Sequence, residues 1–405
     1  MTKHAVATFG QFELDRQRFE LRRAGSPVHI EPRVFDLLAY LIDHRERVVG
    51  KQELLGAVWG DRFVTESALT TRLKAARRAV DDDGARQEVI KTVHGRGYQF
   101  VAPVSVTCEP VAPVAAAEPA PSATQEIRYC SSDDGVRIAY ASLGTGPPLV
   151  KAANWLTHLD LERHSLVWGH WLDALSRRHR LIRYDERGCG LSDWDVGAFT
   201  FNEWVEDLAL VVDACGLDRF PLLGLSQGGA VAIAYAAAHP ERVSRLVLVG
   251  AYSRGRMVRA RTPEEKDEAA LDIDLARVAW RRADDSFFEV FASQFVPGAS
   301  LAQRAAFNQL LRATTSSENG GRFLGQFADV NVSELLPRVR CPTLVVQSRG
   351  DHRVPLSQGR ELASTIPDSR LVLLDSPNHL LIHNEPAWSV FLTELESFLD
   401  ADATP

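Results

Sequence analysis

The sequence contains no long apolar run. No stretch approaches the roughly 18 apolar residues that a membrane-spanning helix requires, and Met1-Thr2-Lys3-His4 lacks the apolar core of a signal peptide. Cysteine is scarce as well: the five cysteines are widely spaced and form no Cys-x-x-Cys pair, which favours neither a disulfide framework nor a zinc site. We therefore expect a cytoplasmic protein that spans no membrane and carries neither a metal nor a cofactor.

The length of the chain suits two domains, because 405 residues exceed one average domain. Residues 104–125 are rich in proline and alanine and lack any helical or alternating period, which predicts a semi-flexible linker. The domains are then expected at 1–103 and 126–405. The net charge is −7 overall but +3 over residues 1–101, so the front domain is the part whose charge suits a nucleic-acid partner.

The front domain has the pattern of an α+β unit. Short alternating pieces indicate a small antiparallel sheet, and three helical patterns follow, the third over residues 65–80. Its predicted buried face is formed by four apolar residues at helical spacing: Leu69, Leu73, Ala76 and Val80. The opposite face carries hydroxyl and cationic groups: Ser67, Thr71, Lys74 and Arg78. Such groups contact phosphates and base edges in DNA.

The order of these parts resembles the winged-helix output domain of OmpR/PhoB-type transcription regulators, over residues 7–103. The matching pieces are "FDLLAYLIDHRERVVGKQELLGAVWG", the helix at 65–80 and the wing "GRGYQF". The resemblance implies double-stranded promoter DNA as a partner, with contacts from the following residues: Thr71, Arg72, Lys74, Arg78 and Arg96. Ala75 departs from the family, where arginine is frequent. Related domains act on repeated half-sites, so a homodimer on DNA is a further expectation.

The second domain alternates short Val/Leu-rich runs with helical segments, which predicts a doubly wound, mainly parallel sheet covered on both faces. Within "PLLGLSQGGA", Ser226 stands at a strand-to-helix junction, the sharp turn that exposes a nucleophile. Asp351 and His379 each follow a later strand. The chain thus contains serine, aspartate and histidine in the order that a hydrolytic triad on such a sheet requires.

This combination resembles the α/β-hydrolase fold across residues 126–400, through "YDERGCGLSD", "GLSQGG", "GDHRVP" and "NHLLIHNEP". The resemblance implies Ser226 as nucleophile, His379 as general base and Asp351 as the carboxylate that orients the imidazole. Other residues compete for the base and acid roles: His352, His383 and Asp375. A helical cap is expected at about 253–337, with aromatic side chains roofing an apolar pocket over Ser226.

The oxyanion hole of such a site needs two backbone N–H donors, which we assign to Gln227 and Trp155. Ala153-Asn154 stands where family members have His-Gly. Asparagine tolerates a left-handed backbone, so we expect Asn154 to adopt one. Loss of one oxyanion donor typically costs about 3 kcal/mol, and the altered loop therefore argues for slow turnover.

Three hypotheses about function follow. The first is a transcription regulator whose hydrolase domain senses a small ester, lactone or acyl ligand, with hydrolysis of that ligand left open. The second is an active carboxylic ester hydrolase whose winged helix serves only localisation or assembly. The third is a receptor without turnover. The Ser-Asp-His order argues against the third hypothesis, and the altered loop argues for it.

Overall fold

The computed structural model describes residues 5–15, 20–28, 30–59, 66–93, 95–108, 125–197, 199–282 and 284–400. The chain divides into two compact units, Met1–Ala120 and Pro121–Pro405, and this boundary falls within the predicted linker. Each unit buries its own apolar core. No helix in the described ranges is long and apolar enough to cross a membrane.

Within the described residues, the front unit combines an antiparallel sheet, three helices and a hairpin, as the sequence predicts. The sheet strands are, in chain order, β1 (Ala5–Phe9), β2 (Phe12–Asp15), β3 (Glu20–Arg23) and β4 (Ser26–Val28). The helices are α1 (Pro32–Asp43), α2 (Lys51–Trp59) and α3 (Glu66–Ala79). The hairpin consists of β5 (Ile90–Val93) and β6 (Gly97–Phe100), which pair antiparallel.

The predicted core face of α3 is confirmed. Leu69, Leu73 and Ala76 are buried on that helix, and Val80 is buried just beyond its end. They belong to one apolar cluster with the leucines of α1 and with Phe100 of the wing. The helix spacing of about 3.6 residues per turn therefore leaves the other face of α3 toward solvent.

The predicted linker begins too early. Ser105–Cys108 forms a strand, β7, that pairs antiparallel with β1 in the register Ala5↔Cys108 and Thr8↔Ser105. The sheet order is β4-β3-β2-β1-β7. Without β7, β1 would be an edge strand with unpaired N–H and C=O groups. The chain therefore continues the front domain past residue 103 before it leaves.

The second unit is built on an eight-stranded sheet in the described residues. Its strands are β8 (Glu126–Ser131), β9 (Arg137–Leu143), β10 (Pro148–Lys151), β11 (Arg180–Tyr184), β12 (Phe220–Leu225), β13 (Val243–Val249), β14 (Thr343–Ser348) and β15 (Ser369–Leu374). The order is β15-β14-β13-β12-β10-β11-β9-β8. Two of its strand pairs are antiparallel, β8 with β9 and β9 with β11, and the other pairs are parallel. Every residue of β14 is buried, so both faces of the sheet are covered there.

Helices occupy the connections between these strands. They are α4 (Gly169–Ser176), α5 (Phe201–Ala214), α6 (Gln227–Ala238), α7 (Arg256–Arg259), α8 (Pro263–Ala279), α9 (Ser286–Phe295), α10 (Leu301–Thr314), α11 (Ser317–Asp329), α12 (Leu356–Thr365) and α13 (Pro386–Asp400). Helices α7 to α11 lie between β13 and β14, in the segment predicted to form the cap. The carboxyl ends of parallel strands meet at one edge of a sheet, where ligands bind in such folds.

Candidate active site and DNA-binding surface

Ser226 occupies a sharp turn between β12 and α6. Its backbone angles are φ 53° and ψ −122°, a region that side-chain-bearing residues rarely enter and that costs about 1–3 kcal/mol. Its N–H donates to the carbonyl of Val249 at 2.9 Å, which ties the turn to the neighbouring strand β13. This strained strand-to-helix turn is the geometry that lifts a serine hydroxyl above the sheet.

Gly228 brings the loop after β10 close to Ser226. A Cβ atom at position 228 would lie only 2.4 Å from the carbonyl oxygen of Ala153, so only glycine fits there without displacing backbone. The first turn of α6 therefore rests directly on the loop that carries Ala153 and Trp155. The sequence interval between this loop and Ser226 is long, and the contact brings the two proposed oxyanion donors into one region.

His379 and Asp351 form a buried pair. Nδ1 of His379 lies 2.7 Å from Oδ2 of Asp351, and the two side chains are 1% and 0% exposed. Oδ1 of Asp351 accepts hydrogen bonds from the backbone N–H groups of Arg353 and Val354 at 2.8 and 2.9 Å. Oδ2 also accepts from Nε2 of Gln347 at 3.2 Å. The carboxylate is thus fixed by four partners, and the orientation of the imidazole ring follows from it.

The other ring nitrogen of His379 faces the nucleophile's surroundings. Within the described part of the chain, Nε2 is buried and has no hydrogen-bond partner. His379 and Ser226 both line a cavity of about 20 Å³, room for a single water molecule. A neutral imidazole whose Nδ1 is held by a carboxylate presents Nε2 as a proton acceptor.

The competing residues lie elsewhere. His383 is exposed, and its ring centroid is 5.6 Å from that of His170. His352 and Asp375 are also exposed. The structure therefore brings His379 to Asp351 and leaves the three alternatives at the surface.

The proposed oxyanion donors have free backbone groups. Across the described residues, no hydrogen-bond acceptor pairs with the N–H of Trp155 or of Gln227.

The expected left-handed backbone at Asn154 is wrong, because the described non-glycine residues with positive φ are the following: Ala24, Asp81, Gln87 and Ser226. The Asn154 side chain shapes the loop instead, since its Oδ1 accepts from Nζ of Lys151 and its amide donates to the carbonyl of Trp155 at 3.3 Å.

A buried carboxyl group forms a hydrogen bond with the side chain of Gln227. The side-chain amide of Gln227 donates to Oε1 of Glu186 at 2.9 Å. Burial raises the pKa of Glu186 to about 8, so the carboxyl is mostly protonated at neutral pH. Burial also lowers the pKa of Lys151 at the end of β10. Glu186 is the second residue after β11, within "YDERGCGLSD", and the sequence alone predicted no role for it.

The cap covers the site with aromatic rings on one side. Trp155 packs against Phe291 and Phe295, with ring centroids 5.5 and 5.2 Å apart. The expected apolar roof is therefore present, but a second cavity beside Ser226 is lined by charged side chains that sequence reasoning missed. They are Arg256, Arg259, Asp272 and Arg353. They come from α7, α8 and the loop after β14, and their spacing in sequence carries no signal of convergence.

The predicted DNA-contacting residues of α3 lie on its outer face. Thr71, Lys74 and Arg78 are exposed, and Arg72 is half-buried and forms an ion pair with Glu31 at 2.9 Å. The side chain of Ser67 falls outside the described residues. An exposed cationic face of this kind suits phosphate contacts.

The neighbouring Arg77 points the other way. It is 7% exposed, and its guanidinium donates to the carbonyl of Ile90 at 2.7 and 3.1 Å and to Oγ1 of Thr92 at 2.9 Å. Arg77 therefore joins α3 to the wing hairpin. It is a structural residue between positions 74 and 78, which face solvent.

The wing presents Arg96 at its tip. Arg96 is exposed in the turn between β5 and β6. Gly97 follows with φ 144°, and a Cβ atom there would lie 2.0 Å from the carbonyl oxygen of Val49. Tyr98 and Val49 exchange backbone hydrogen bonds of 2.8 and 2.9 Å. Because Gly97 has no side chain, the hairpin can pack against the backbone of Val49. Arg96 remains exposed to solvent at the tip.

Comparison with known proteins finds a matching family model for each unit. The alpha/beta hydrolase fold model matches residues 161–386, more than half of the chain, and the chain belongs to that family. The model described as transcriptional regulatory protein, C terminal, matches residues 25–100. The protein therefore joins a transcription-regulator DNA-binding domain to a hydrolase-fold domain.

Individual relatives match the second unit. Pyrrolizixenacetamide deacetylase of Xenorhabdus hominickii is 28% identical over 270 residues, which are 66% of this chain and 97% of the relative. Among solved structures, the esterase RhEst1 from Rhodococcus sp. ECU1013 is 28% identical, with a TM-score of 0.55 over 68% of this chain and 98% of its own. A hydrolase from Pseudomonas aeruginosa PA01 is 27% identical, with a TM-score of 0.56 over 68% and 98%. These relatives support a hydrolase.

Proposed function

We propose that the protein is a ligand-responsive transcription regulator. Its hydrolase domain binds a small ester, lactone or other acyl compound at Ser226 and hydrolyses it slowly, and occupation of this site changes the DNA affinity of the winged helix. One observation carries the catalytic part: Nε2 of His379 is buried, has no partner among the described residues and lies in a cavity that Ser226 also lines, while Nδ1 is 2.7 Å from Asp351.

The chemistry is acyl transfer. Oγ of Ser226 attacks the carbonyl carbon of the ligand while Nε2 of His379 accepts the serine proton. The N–H groups of Trp155 and Gln227 donate to the oxyanion. The tetrahedral intermediate collapses as His379 returns the proton to the leaving alkoxide. Water, deprotonated by the same imidazole, then releases the acid from Ser226. Asp351 stabilises the imidazolium throughout.

The small size of the site supports a sensing role. The cavities on the two sides of Ser226 are about 30 and 20 Å³, each sufficient for one or two water molecules. An ester is larger, so it enters only when the cap helices over Ser226 move. A ligand that favours the open arrangement shifts the equilibrium between two conformations of the domain. Such a shift in conformation is required if ligand binding at Ser226 is to change the DNA affinity of the winged helix.

The relatives bear on the choice of ligand. Their names describe a deacetylase and an esterase, both of which break an acyl bond. For this chain an acyl compound with an ester or lactone bond is accordingly the proposed substrate class. Its DNA contacts are proposed to come from Thr71, Arg72, Lys74 and Arg78 on α3, and from Arg96 on the wing.

The catalytic part is tested with p-nitrophenyl butyrate and a fluorophosphonate probe. Wild-type protein is expected to cleave the ester and to take up one probe molecule, and Ser226→Ala is expected to do neither. Ser389→Ala removes an exposed serine hydroxyl from α13 and serves as the matched control that retains both activities. If the wild type shows neither cleavage nor labelling, the catalytic proposal fails, and the hypothesis of a receptor without turnover remains.

The regulatory part is tested on DNA from upstream of the protein's own gene. Affinity is expected to fall steeply with salt concentration, because phosphate contacts release counterions. Lys74→Gln should weaken binding. Arg22→Gln, which removes the same charge from β3, where Arg22 pairs with Glu20 at 2.7 Å, should not. If no duplex is bound with a salt-dependent affinity, the regulator proposal fails while the hydrolase proposal stands.

A further inference from the structure

Three arginines converge on one side of Ser226. Arg256 and Arg259 come from α7, and Arg353 lies two residues after Asp351. All three line the cavity of about 30 Å³ that also contains Ser226 and Gln227. These side chains come from the cap and from the loop after β14, which are far apart in the sequence. The cluster therefore exists only in the folded chain.

The cluster holds more positive than negative charge. Among the described residues that line the cavity, Asp272 is the single carboxylate. Oδ2 of Asp272 accepts from Nη1 of Arg353 at 2.5 Å and also from Arg256. Arg259 donates to backbone carbonyls instead, those of Arg254 and Arg353, at 3.2 and 3.1 Å. Two guanidinium groups thus share the Asp272 carboxylate, and Arg259 adds a third positive charge beside them.

This imbalance is unfavourable without a further anion. The Arg353 and Asp272 side chains are 11% and 9% exposed, and burial lowers the pKa of Arg259 to about 10. Buried charges need partners, because removal from water costs several kcal/mol per ion. Two other acids lie near the cavity: Asp351 pairs with His379, and the raised pKa of Glu186 keeps it mostly neutral. Because His379 is neutral, Asp351 offsets one positive charge near Arg259, and Asp272 offsets a second. One of the three guanidinium charges is left without a counter-charge.

We propose that this arginine cluster binds a carboxylate of the ligand, so that the compound processed at Ser226 is an acidic ester or lactone rather than a neutral one. The inference rests on the proposed function, since it takes Ser226 as the reacting residue. A carboxylate is favoured over a phosphate because Arg256 and Arg353 already converge on the carboxylate of Asp272. The planar guanidinium matches such a group in a fork geometry.

The opposite side of Ser226 is apolar. The cavity shared with His379 is lined by Leu156, Trp168, Phe307, Leu310 and Leu311. Ser226 lies between the two cavities and lines both. The ligand therefore has two different ends, an apolar group and an acidic group, with the reacting carbonyl between them.

A surface groove that shares the three arginines carries the same charge. This groove of about 870 Å³ is lined by the three arginines of the cluster and by further cationic residues: Arg254, Arg261 and Arg360. Three glutamates also line it: Glu265, Glu268 and Glu361. Six arginines against three carboxylates leave the groove positive, and a charged cleft raises the encounter rate of an oppositely charged ligand.

The experiment compares two esters of equal chain length, mono-p-nitrophenyl adipate and p-nitrophenyl hexanoate, which differ in a terminal carboxylate. The readout is the ratio of their kcat/KM values, in which the fraction of folded protein cancels. Arg353→Gln and Arg256→Gln are each expected to lower this ratio about tenfold or more, the value of a charge-assisted hydrogen bond. Arg281→Gln removes an exposed cap arginine that lines neither cavity and should leave the ratio unchanged.

A binding measurement separates this inference from the catalytic proposal. By calorimetry, Ser226→Ala protein is expected to bind monomethyl adipate at least about tenfold more tightly than dimethyl adipate, and addition of Arg353→Gln should abolish the difference. If wild type cleaves no ester but this preference is seen, the catalytic proposal fails and the acidic-ligand inference stands. Equal ratios in wild type and both arginine variants, or equal binding of the two adipates, would overturn the inference. Stronger competition by inorganic phosphate than by acetate would overturn the choice of a carboxylate.

Discussion

Oδ2 of Asp351 lies 2.7 Å from Nδ1 of His379, and both side chains are almost fully buried. The bond requires Nδ1 to carry the proton, which leaves Nε2 as the acceptor toward Ser226. Asp351→Asn would offer an amide in place of the carboxylate and favour the wrong tautomer. In a serine protease the equivalent change costs about 10⁴-fold in kcat.

We therefore expect Asp351→Asn to lower ester hydrolysis by about three to four orders of magnitude. Asp375→Asn is the matched control, because Asp375 is exposed at the end of the strand that leads to His379. Rates are measured with p-nitrophenyl butyrate at neutral pH. Comparable losses in the two variants, or an active Asp351→Asn protein, would contradict the assignment.

Gly228→Ala is expected to damage the site through a steric clash. Its Cβ would lie 2.4 Å from the Ala153 carbonyl oxygen, so α6 and the loop before Trp155 must separate. We expect the free energy of unfolding to fall by about 1–3 kcal/mol and turnover to fall with it. At Gly325 in α11 no atom of the described residues lies within 4 Å of an added Cβ, so Gly325→Ala should be neutral or slightly stabilising in thermal unfolding. Equal stability of the two variants would refute the close approach.

The stability of the hydrolase domain should depend on Glu186. Its pKa is about 8 in the folded protein against 4.5 for the ordinary side chain. Between these values the unfolded chain loses a proton that the folded chain keeps, so the free energy of unfolding falls as the pH rises from 5 to 8 and is level above that range.

Glu186→Gln removes this contribution, because glutamine does not titrate. Chemical denaturation at pH 5 and pH 8 should therefore show a smaller loss of stability in Glu186→Gln than in wild type. Glu241→Gln, at an exposed position, should retain the wild-type difference. An unchanged pH dependence in Glu186→Gln would mean that the buried carboxyl is already ionised at pH 7.

Arg77 and Arg78 are adjacent but should behave differently. Arg78→Gln is expected to weaken DNA binding and to reduce the slope of log affinity against log salt by about 1, with no change in stability. Arg77→Gln removes the buried hydrogen bonds to Ile90 and Thr92 and is expected to lower the free energy of unfolding by about 1–3 kcal/mol. A stable Arg77→Gln protein with a reduced salt slope would reverse these roles.

Local patterns were sufficient for much of the architecture. The spacing of Leu69, Leu73 and Ala76 predicted the buried face of α3, and the strand-to-helix junction predicted the turn at Ser226; both are found. These features depend on the period of one element or on one junction. Sequence patterns report such short-range features directly.

Other features depend on residues that are distant in sequence. Ser105–Cys108 is only four residues long and directly adjoins the proline- and alanine-rich stretch. Its place in the sheet depends on pairing with β1, almost the whole front domain away. The convergence of Arg256 and Arg353 likewise requires the cap to lie over the end of β14. Tertiary contacts decided both features.

The most direct test of the central claim uses one reagent for both activities. A fluorophosphonate attached to Ser226 fills the site, and DNA affinity is measured before and after stoichiometric labelling, with Ser226→Ala treated in parallel. We predict that labelling changes the DNA affinity of the wild type by about fivefold or more, the range of typical allosteric coupling, and that Ser226→Ala is unaffected. A fully labelled wild-type protein that binds DNA with unchanged affinity would contradict the account.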